Sequence, residues 1–327
     1  MDLSTKYLGL EVKNPIVVSS SRLTSNYDKI MECIDNGAGA IVLKSLFEEQ
    51  IIDSIQEKIN ENQMYFWYPE ATEFVKNISK DHGVKEYIRL LKKVKETSTV
   101  PIIASINCTT SQEWPAFAKE LQDAGADAIE LNISIFPFDE HVESKDIEDI
   151  YVEIVTEVKK HVSIPVAAKI GQHFTNMNRI VARLCAAKID GIVLFNRFFR
   201  PDINIDKQKV IFDNYLSEPS EMTQSLRWIG ALSDKVNCDL IANTGIHNYE
   251  AVIKQIMAGA SAIQVCSTLY KNGIPHIATM LSEIEEWMKE NKVNSLDSLK
   301  GKIHIGGENT AAFERVQFMQ KATGVLS

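Results

Sequence analysis

The octapeptide NGAGAIVL, residues 36–43, recurs in three variants further along the chain. These variants are AGADAIEL at 124–131, AKIDGIVL at 187–194 and AGASAIQV at 258–265. Each has the pattern of a helix end, a tight turn of small residues and the start of a short apolar strand. A unit that repeats helix, turn and strand is typical of α/β folds with a parallel sheet.

The same pattern continues before, between and after the four copies of the repeat, and it predicts eight strands in total. Each is apolar for several residues in succession, as expected of strands that are covered on both faces. The segments are NPIVVSSS (14–21), GAIVLKS (39–45), VPIIASIN (100–107), DAIELNIS (127–134), IPVAAKIG (164–171), DGIVLFN (190–196), CDLIANTG (238–245) and SAIQVCS (261–267). The intervening stretches predict helices at 26–36, 85–97, 111–123, 144–161, 176–188, 222–235, 249–258 and 276–291.

Eight alternating strands and helices close most economically as a (β/α)8 TIM barrel, so residues 1–327 are predicted to form a single α/β domain. The alternative is an open doubly wound sheet, but no GxGxxG follows the first strand, as a dinucleotide-binding fold would require. Inserts at 46–84 and 197–221 follow the second and sixth strands, and both are expected at the C-terminal face of the barrel. Residues 292–327 are predicted to be a tail that packs on the barrel.

Composition narrows the classes of function. The net charge of −9 and the lack of a basic tract disfavour nucleic-acid binding. No run of about 18 apolar residues suggests a membrane span, and MDLSTKYLGL does not resemble a secretory signal, so a cytoplasmic location is expected. The five cysteines are scattered without a CxxC pair, which predicts reduced thiols and no metal site. A small-molecule substrate and a homodimer are expected.

Polar residues at the C-terminal ends of barrel strands are the first candidates for a functional site. Lys44 and Lys169 each end an apolar strand, where a lysine is costly to bury unless it is paired. Three asparagines, Asn107, Asn132 and Asn196, end other strands. This combination predicts an anionic or carbonyl-rich ligand.

The ends of the last two strands carry small residues that suit a phosphate. Thr244 and Gly245 follow the seventh strand, and Cys266 and Ser267 follow the eighth. Backbone N–H groups in such turns, together with the N-terminus of a following helix, favour anions. The phosphate site of TIM barrels commonly lies at these two loops.

Six motifs in this order, NPIVVSSS, GAIVLKS, IELNIS, VAAKIG, IANTGI and AIQVCSTLYKNG, resemble the dihydroorotate dehydrogenase family of FMN-dependent barrels over residues 3–290. The opening STKYLGLEVKNP resembles that family's N-terminal hairpin. The resemblance implies a soluble FMN enzyme that moves a hydride between a CH–CH bond and flavin N5. The substrate implied is dihydroorotate, an intermediate of pyrimidine biosynthesis, or a related dihydropyrimidine.

The resemblance also implies roles for individual residues. The implied FMN contacts are Ser19, Ser20, Lys44, Asn107, Asn132, Lys169, Asn196, Thr244, Gly245, Cys266 and Ser267. The implied substrate contacts are Lys44, Asn132 and Asn196. Lys44, Asn132 and Ser134 are the implied catalytic residues, and Lys169 matches the lysine that reaches the N1 and C2 carbonyl region of the flavin.

One position departs from the family pattern in a way that affects chemistry. Where the family has its catalytic base, a Cys or a Ser just after Asn-x-Ser, this chain has Ile135, which cannot accept a proton. Either another residue is the base or the reaction needs none there. The replacement candidates are Ser134, Cys108, His173, Asp139 and His141.

Two other functions remain compatible with the sequence. Lys169 has the strand position of a Schiff-base lysine, which would make the chain an aldolase or lyase. A flavin-binding protein that has lost catalysis together with the base is the third possibility, because one fold hosts many chemistries. The electron acceptor is left open among fumarate, quinone and NAD through a partner subunit.

Overall fold

The computed structural model describes residues 1–47, 69–107, 113–135, 139–198, 201–211 and 216–303. Within them, eight parallel strands form a closed barrel, which confirms the predicted fold class. The barrel strands are β3 (Ile16–Val18), β4 (Ala40–Val42), β6 (Ile102–Asn107), β7 (Ala128–Asn132), β8 (Val166–Ile170), β9 (Gly191–Leu194), β12 (Asp239–Ala242) and β13 (Ala262–Val265). The pairing of β13 with β3 and of β4 with β6 closes the ring.

Helices alternate with these strands as predicted. The described helices are α1 (Tyr27–Asp35), α2 (Pro69–Thr97), α3 (Glu113–Asp123), α4 (Ser144–His161), α5 (Met177–Ala186), α6 (Met222–Leu232), α7 (Tyr249–Ala258), α8 (Ser267–Asn272) and α9 (His276–Glu290). The prediction that α2 begins at residue 85 was wrong by 16 residues. Gly83 resembles a helix boundary, but an interior glycine costs a helix only about 1 kcal/mol and does not end it.

Four of these strands and helices were not predicted as such. Strand β5 (Leu46–Phe47) pairs with β6 just beyond β4. A hairpin of β10 (Asp202–Asn204) and β11 (Lys209–Ile211) lies in the insert after the sixth barrel strand and exposes Ile203, Ile205 and Val210. The short helix α8 follows the last barrel strand.

The N-terminal hairpin closes one end of the barrel. It consists of β1 (Thr5–Tyr7) and β2 (Leu10–Val12), joined by a two-residue turn in which Leu8 and Gly9 both have positive φ. Tyr7, Leu8 and Val12 pack against the small and β-branched side chains that fill the barrel interior. The backbone N–H of Leu8 donates to Asp239 Oδ2 at the start of β12, at 2.7 Å.

Side chains alternate along each barrel strand between the interior and the helix layer. The interior residues nearest the hairpin are apolar, for example Ala128, Ala167 and Ala262. Two residues further along the same strands, Glu130, Lys169 and Gln264 are buried. A polar layer therefore lies inside the barrel, on the side of the C-terminal strand ends, although the strands read as apolar runs in the sequence.

The chain beyond α9 returns to the barrel. Leu296 and Leu299 are buried, and the N–H of Ile303 donates to Met257 O at 2.9 Å. The rest of the predicted tail, 304–327, lies outside the described residues. Among the residues that are described, no helix has the length and apolar character to cross a membrane.

Candidate functional site

A cavity of about 200 Å³ lies at the C-terminal ends of the barrel strands; we call it the central cavity. Most of the predicted cofactor residues line it, namely Ser19, Ser20, Lys169, Asn196, Thr244, Gly245, Cys266 and Ser267. Sequence reasoning missed further lining residues, among them Ser217 and Gln264. Lys44, Asn107 and Asn132 end their strands but do not line this cavity.

A hydrogen-bonded chain runs from the central cavity into the polar layer of the barrel. Lys169 Nζ donates to Ser19 Oγ at 3.2 Å, and Ser19 Oγ donates to Gln264 Oε1 at 3.0 Å. Gln264 Nε2 in turn donates to Glu130 Oε2. Glu130, Lys169 and Gln264 lie on β7, β8 and β13, and Ser19 directly follows β3. These hydrogen bonds fix the position of the lysine ammonium group at the cavity.

Glu130 is a buried carboxyl group that the sequence reasoning overlooked. Its side chain is fully buried, and Oε1 has no hydrogen-bond partner within the described part of the chain, although Lys169 Nζ lies 4.0 Å away. Burial raises the pKa of Glu130, and the charge of Lys169 and the hydrogen bond from Gln264 only partly offset this. Glu130 and Gln264 could have been identified in the sequence, because each is a polar residue at an inward position of an apolar strand, in AIELN and AIQV.

The three strand-end asparagines lie together. Asn107 Nδ2 donates to the backbone oxygen of Asn132 at 2.7 Å, and Asn196 Nδ2 donates to Asn132 Oδ1 at 2.9 Å. Asn196 also lines the central cavity. The structure therefore connects Asn107 and Asn132 to the cavity through Asn196. On the neighbouring strands, Ser20 Oγ accepts a hydrogen bond from the N–H of Ser45 at 2.8 Å.

The two small-residue turns are joined by a serine. Gly245 N–H donates to Ser217 Oγ at 3.2 Å, and Ser217 N–H donates to Ser267 Oγ at 2.9 Å. Thr244 and Gly245 both have positive φ, 74° and 77°. A Cβ atom on Gly245 would lie 2.2 Å from the backbone nitrogen of Met222, so only glycine fits there. The insert after the sixth strand thus supplies a residue that binds both turns.

Two further cavities adjoin the central one. A cavity of about 290 Å³, the side cavity, shares Asn196, Asn243 and Thr244 with the central cavity. A cavity of about 280 Å³, the apolar cavity, shares His173 and Phe198 with the side cavity. Because each shares lining residues with the next, the three cavities lie side by side in a row on the C-terminal face.

Ile135 lines the apolar cavity, and so does His173. The imidazole ring of His173 stacks on the ring of Phe198, with centroids 5.3 Å apart and planes inclined by 18°. Gly171 leaves room for this arrangement, because a Cβ there would lie 2.4 Å from the Phe198 ring. His173 is the one proton acceptor among the described candidates that shares a cavity with Ile135.

The other candidates for the base are less well placed. Asp139 and His141 are exposed, and the His141 side chain is 85% accessible. Ser134 is half-buried at the end of its strand and lines none of the three cavities. Cys108 lies outside the described residues.

Comparison with known proteins shows the family of the chain. The family model described as dihydroorotate dehydrogenase matches residues 2–288, nearly the whole chain. The chain belongs to the dihydroorotate dehydrogenase family. The match confirms the resemblance seen in the six motifs and identifies the chain as a dihydroorotate dehydrogenase-like oxidoreductase.

Curated members of the family with similar sequences come from archaea and bacteria. The catalytic subunit of dihydroorotate dehydrogenase B (NAD⁺) from Thermoplasma acidophilum is 27% identical over 92% of this chain and 98% of its own length. The corresponding subunit from Methanocaldococcus jannaschii is 28% identical, with the same coverage. The subunit PreA of NAD-dependent dihydropyrimidine dehydrogenase from Escherichia coli is 22% identical over 92% of this chain and 76% of its own length. The first two proteins are named for dihydroorotate and the third for dihydropyrimidine.

Proposed function

We propose that the chain is an FMN-dependent oxidoreductase that moves a hydride between the CH–CH bond of a dihydropyrimidine and the flavin. The observation that carries this proposal is the central cavity, which combines a buried lysine with two small-residue turns. FMN, when bound, supplies the N5 atom that exchanges the hydride. The family match and the names of the relatives support the same class of reaction, with a role in pyrimidine metabolism such as pyrimidine biosynthesis.

The residues of the central cavity fit the two chemically different parts of FMN. Thr244, Gly245 and Ser267 line the cavity in two neighbouring turns, and Thr244 and Gly245 have the positive φ angles found in backbone concavities that bind anions. Lys169 offers donors to the carbonyl groups of the flavin ring, and Ser19 holds its ammonium group in place by accepting a hydrogen bond from it. A fixed ammonium group stabilises the negative charge that develops on the ring during reduction. Ser20 and Cys266 complete the proposed cofactor contacts.

The proposed substrate contacts lie along the asparagine network. Asn132 and Asn196, which are hydrogen-bonded to each other, hold the ring amides and carboxylate of the substrate. Lys44 contacts both cofactor and substrate, as the resemblance implies, and Asn107 holds the backbone of Asn132. A catalytic role for Ser134 is implied by the resemblance alone, because Ser134 lines none of the three cavities. These side chains position the substrate without any of them having to accept its proton.

The proton acceptor is the part of the proposal that depends most on this chain's own residues. His173 and Ile135 line the same apolar cavity, and stacking on Phe198 restricts the imidazole ring. An imidazole in this place can accept the proton that the isoleucine cannot. His173 therefore replaces the missing Cys or Ser.

Flavin spectroscopy tests the proposal. We expect the purified protein to carry FMN and to lose its yellow colour when dihydroorotate or dihydrouracil is added without oxygen. A protein that stays colourless and does not quench FMN fluorescence would contradict the proposal. Borohydride trapping of a carbonyl substrate on Lys169 would favour the Schiff-base enzyme instead. FMN binding without reduction by either dihydropyrimidine would favour the binding-only protein.

The assembly and location complete the proposal. The protein acts in the cytoplasm on a free small molecule, and neither nucleic acid nor membrane takes part. It forms a homodimer through the β10–β11 hairpin, where Ile203 is 64% and Ile205 is 82% exposed. Exposed large apolar side chains on a hairpin are typical of an interface that buries them.

A further inference from the structure

Two of the cysteines that are scattered in sequence meet at the N-terminal end of the barrel. Cys185 lies in the last turn of α5, and Cys238 directly precedes β12. Although 53 residues separate them, their Sγ atoms are 2.7 Å apart. Two sulfur atoms that are not bonded normally stay further apart than this, so the side chains are aimed at one another. Both cysteines are half-buried, which leaves them accessible to small reagents.

Rigid elements hold the two cysteines together. Strand β9, which follows α5, pairs with β12, and Gly191 is the register partner of Asp239. The N–H of Asp239 donates to Asp190 O at 2.9 Å. On the helix side, the N–H of Lys188 donates to the backbone oxygen of Cys185 at 2.9 Å. The approach of the sulfur atoms is therefore a property of the barrel ladder and of the turn after α5.

We propose that Cys185 and Cys238 are an oxidation site, which forms an intramolecular disulfide when the protein meets a low-molecular-weight disulfide such as oxidised glutathione. A disulfide requires closely spaced Cα atoms and Cβ vectors that converge. A pair whose sulfur atoms already touch meets this requirement with little movement. The site lies outside the proposed active site, and the inference does not depend on the proposed function.

The two thiols have different roles in this reaction. The hydrogen bond with Cys238 lowers the pKa of Cys185. The same hydrogen bond, followed by burial, raises the pKa of Cys238. Since the thiolate is the nucleophile, Cys185 reacts first.

The reaction balances as two thiol–disulfide exchanges. In the first, the Cys185 thiolate attacks one sulfur of oxidised glutathione, the glutathione S–S bond breaks, and one glutathione thiolate leaves. In the second, Cys238 loses its proton to solvent and attacks Cys185 Sγ, and the second glutathione leaves. The protein loses two electrons and two protons, and one oxidised glutathione becomes two reduced molecules.

Other described cysteines differ in their surroundings. Cys33 is fully buried, and burial raises the pKa of its thiol to about 12. Burial also raises the pKa of Cys266, which lines the central cavity. Neither has another described cysteine as a bonding partner. These two thiols are therefore expected to react more slowly than Cys185.

Peptide mapping of the full chain tests the inference. The reduced protein is incubated with oxidised glutathione, alkylated, digested without reductant and analysed by mass spectrometry. We expect one peptide pair joined through Cys185 and Cys238, and its loss after treatment with dithiothreitol. The oxidised protein should also unfold at a temperature several degrees higher, because the crosslink restricts the unfolded chain.

Two matched variants separate the steps. Cys238→Ser should accumulate a glutathione adduct at residue 185, because the second exchange cannot occur. Cys185→Ser should gain an adduct at residue 238 at least tenfold more slowly. Absence of the joined peptide in the wild type, with both thiols still free to alkylate, would overturn the inference. Equal rates of adduct formation in the two variants would overturn the assignment of Cys185 as the first nucleophile.

Discussion

At the scale of the residue, the proposed proton acceptor depends on the cavity beside Ile135. The resemblance implies a proton acceptor at position 135, where this chain has isoleucine, and His173 lines the same cavity. The sequence pointed to position 135 because it directly follows Asn132-x-Ser134. It could not single out His173 among the candidates, since residues that are 38 positions apart share a cavity only because two neighbouring strands, β7 and β8, end side by side.

The first prediction concerns His173. His173→Gln should lower the rate of flavin reduction by a dihydropyrimidine by about 10²–10⁴-fold, the usual contribution of a general base. FMN affinity should stay the same, because His173 does not line the central cavity. The measurement is anaerobic stopped-flow, with His141→Gln as the control for loss of an exposed histidine. Equal rates in all three proteins would exclude His173 as the base.

The second prediction concerns Glu130 and pH. Since burial raises the pKa of this carboxyl above its ordinary value of 4.5, the folded state retains the proton to higher pH than the unfolded state. The stability that depends on this group is therefore fully present below about pH 4.5 and is lost as pH rises toward the folded pKa.

Glu130→Gln should remove this dependence. We expect the difference in melting temperature between the variant and the wild type to shift in favour of the variant as pH rises from about 5 to about 8. Glu140→Gln is the matched control, because its side chain is 88% exposed. Parallel curves for Glu130→Gln and the wild type would contradict the assignment.

At the scale of the element, the strands were easier to predict than the loops. All eight barrel strands lie within the predicted segments, because buried parallel strands appear in sequence as continuous apolar runs. Gln264 was overlooked within such an apolar run, because a polar residue that points into the barrel is recognised only when the two faces of a strand are considered separately. Ser217 could not be foreseen at all, because it reaches the two turns from the insert after the sixth strand.

The third prediction concerns the turn at Gly245. Gly245→Ala should lower the free energy of unfolding by about 3 kcal/mol or more, because positive φ and backbone overlap both oppose a Cβ. FMN affinity should fall as well. Gly9→Ala is a closely matched control: Gly9 has the same φ of +77° but open space around it, so its cost should be about 1 kcal/mol. Urea unfolding measures both. Equal losses would mean that backbone strain alone determines the effect.

At the scale of the whole molecule, the closed barrel collects residues from the entire chain at one face. The central cavity takes side chains from positions 19 to 267. The repeat predicted this architecture, and the closed architecture then predicted which strand ends would meet. The row of three cavities could not be predicted from the sequence, because it depends on how the loops after different strands pack against one another.

The fourth prediction concerns assembly. A double variant, Ile203→Ser with Ile205→Ser, should convert the proposed homodimer into a monomer, because it removes the apolar side chains that the β10–β11 hairpin exposes. Light scattering after size exclusion gives the mass. Lys209→Ser changes an exposed residue of the same hairpin and should leave the dimer intact. A wild-type protein with a mass near 36.8 kDa would contradict the proposal directly.

The closure of the barrel also has a consequence for how the chain folds during synthesis. Strand β3 has only one neighbour until β13 exists, since Ile16 pairs with Ile263. The bridge between Asp2 and Ser295 spans even more of the chain. Contacts of such long range form slowly and late. A nascent chain on the ribosome therefore exposes the sheet edge of β3 until translation has passed residue 265. Chaperones that bind unpaired strands can act on this edge for longer than on the edges of the later strands.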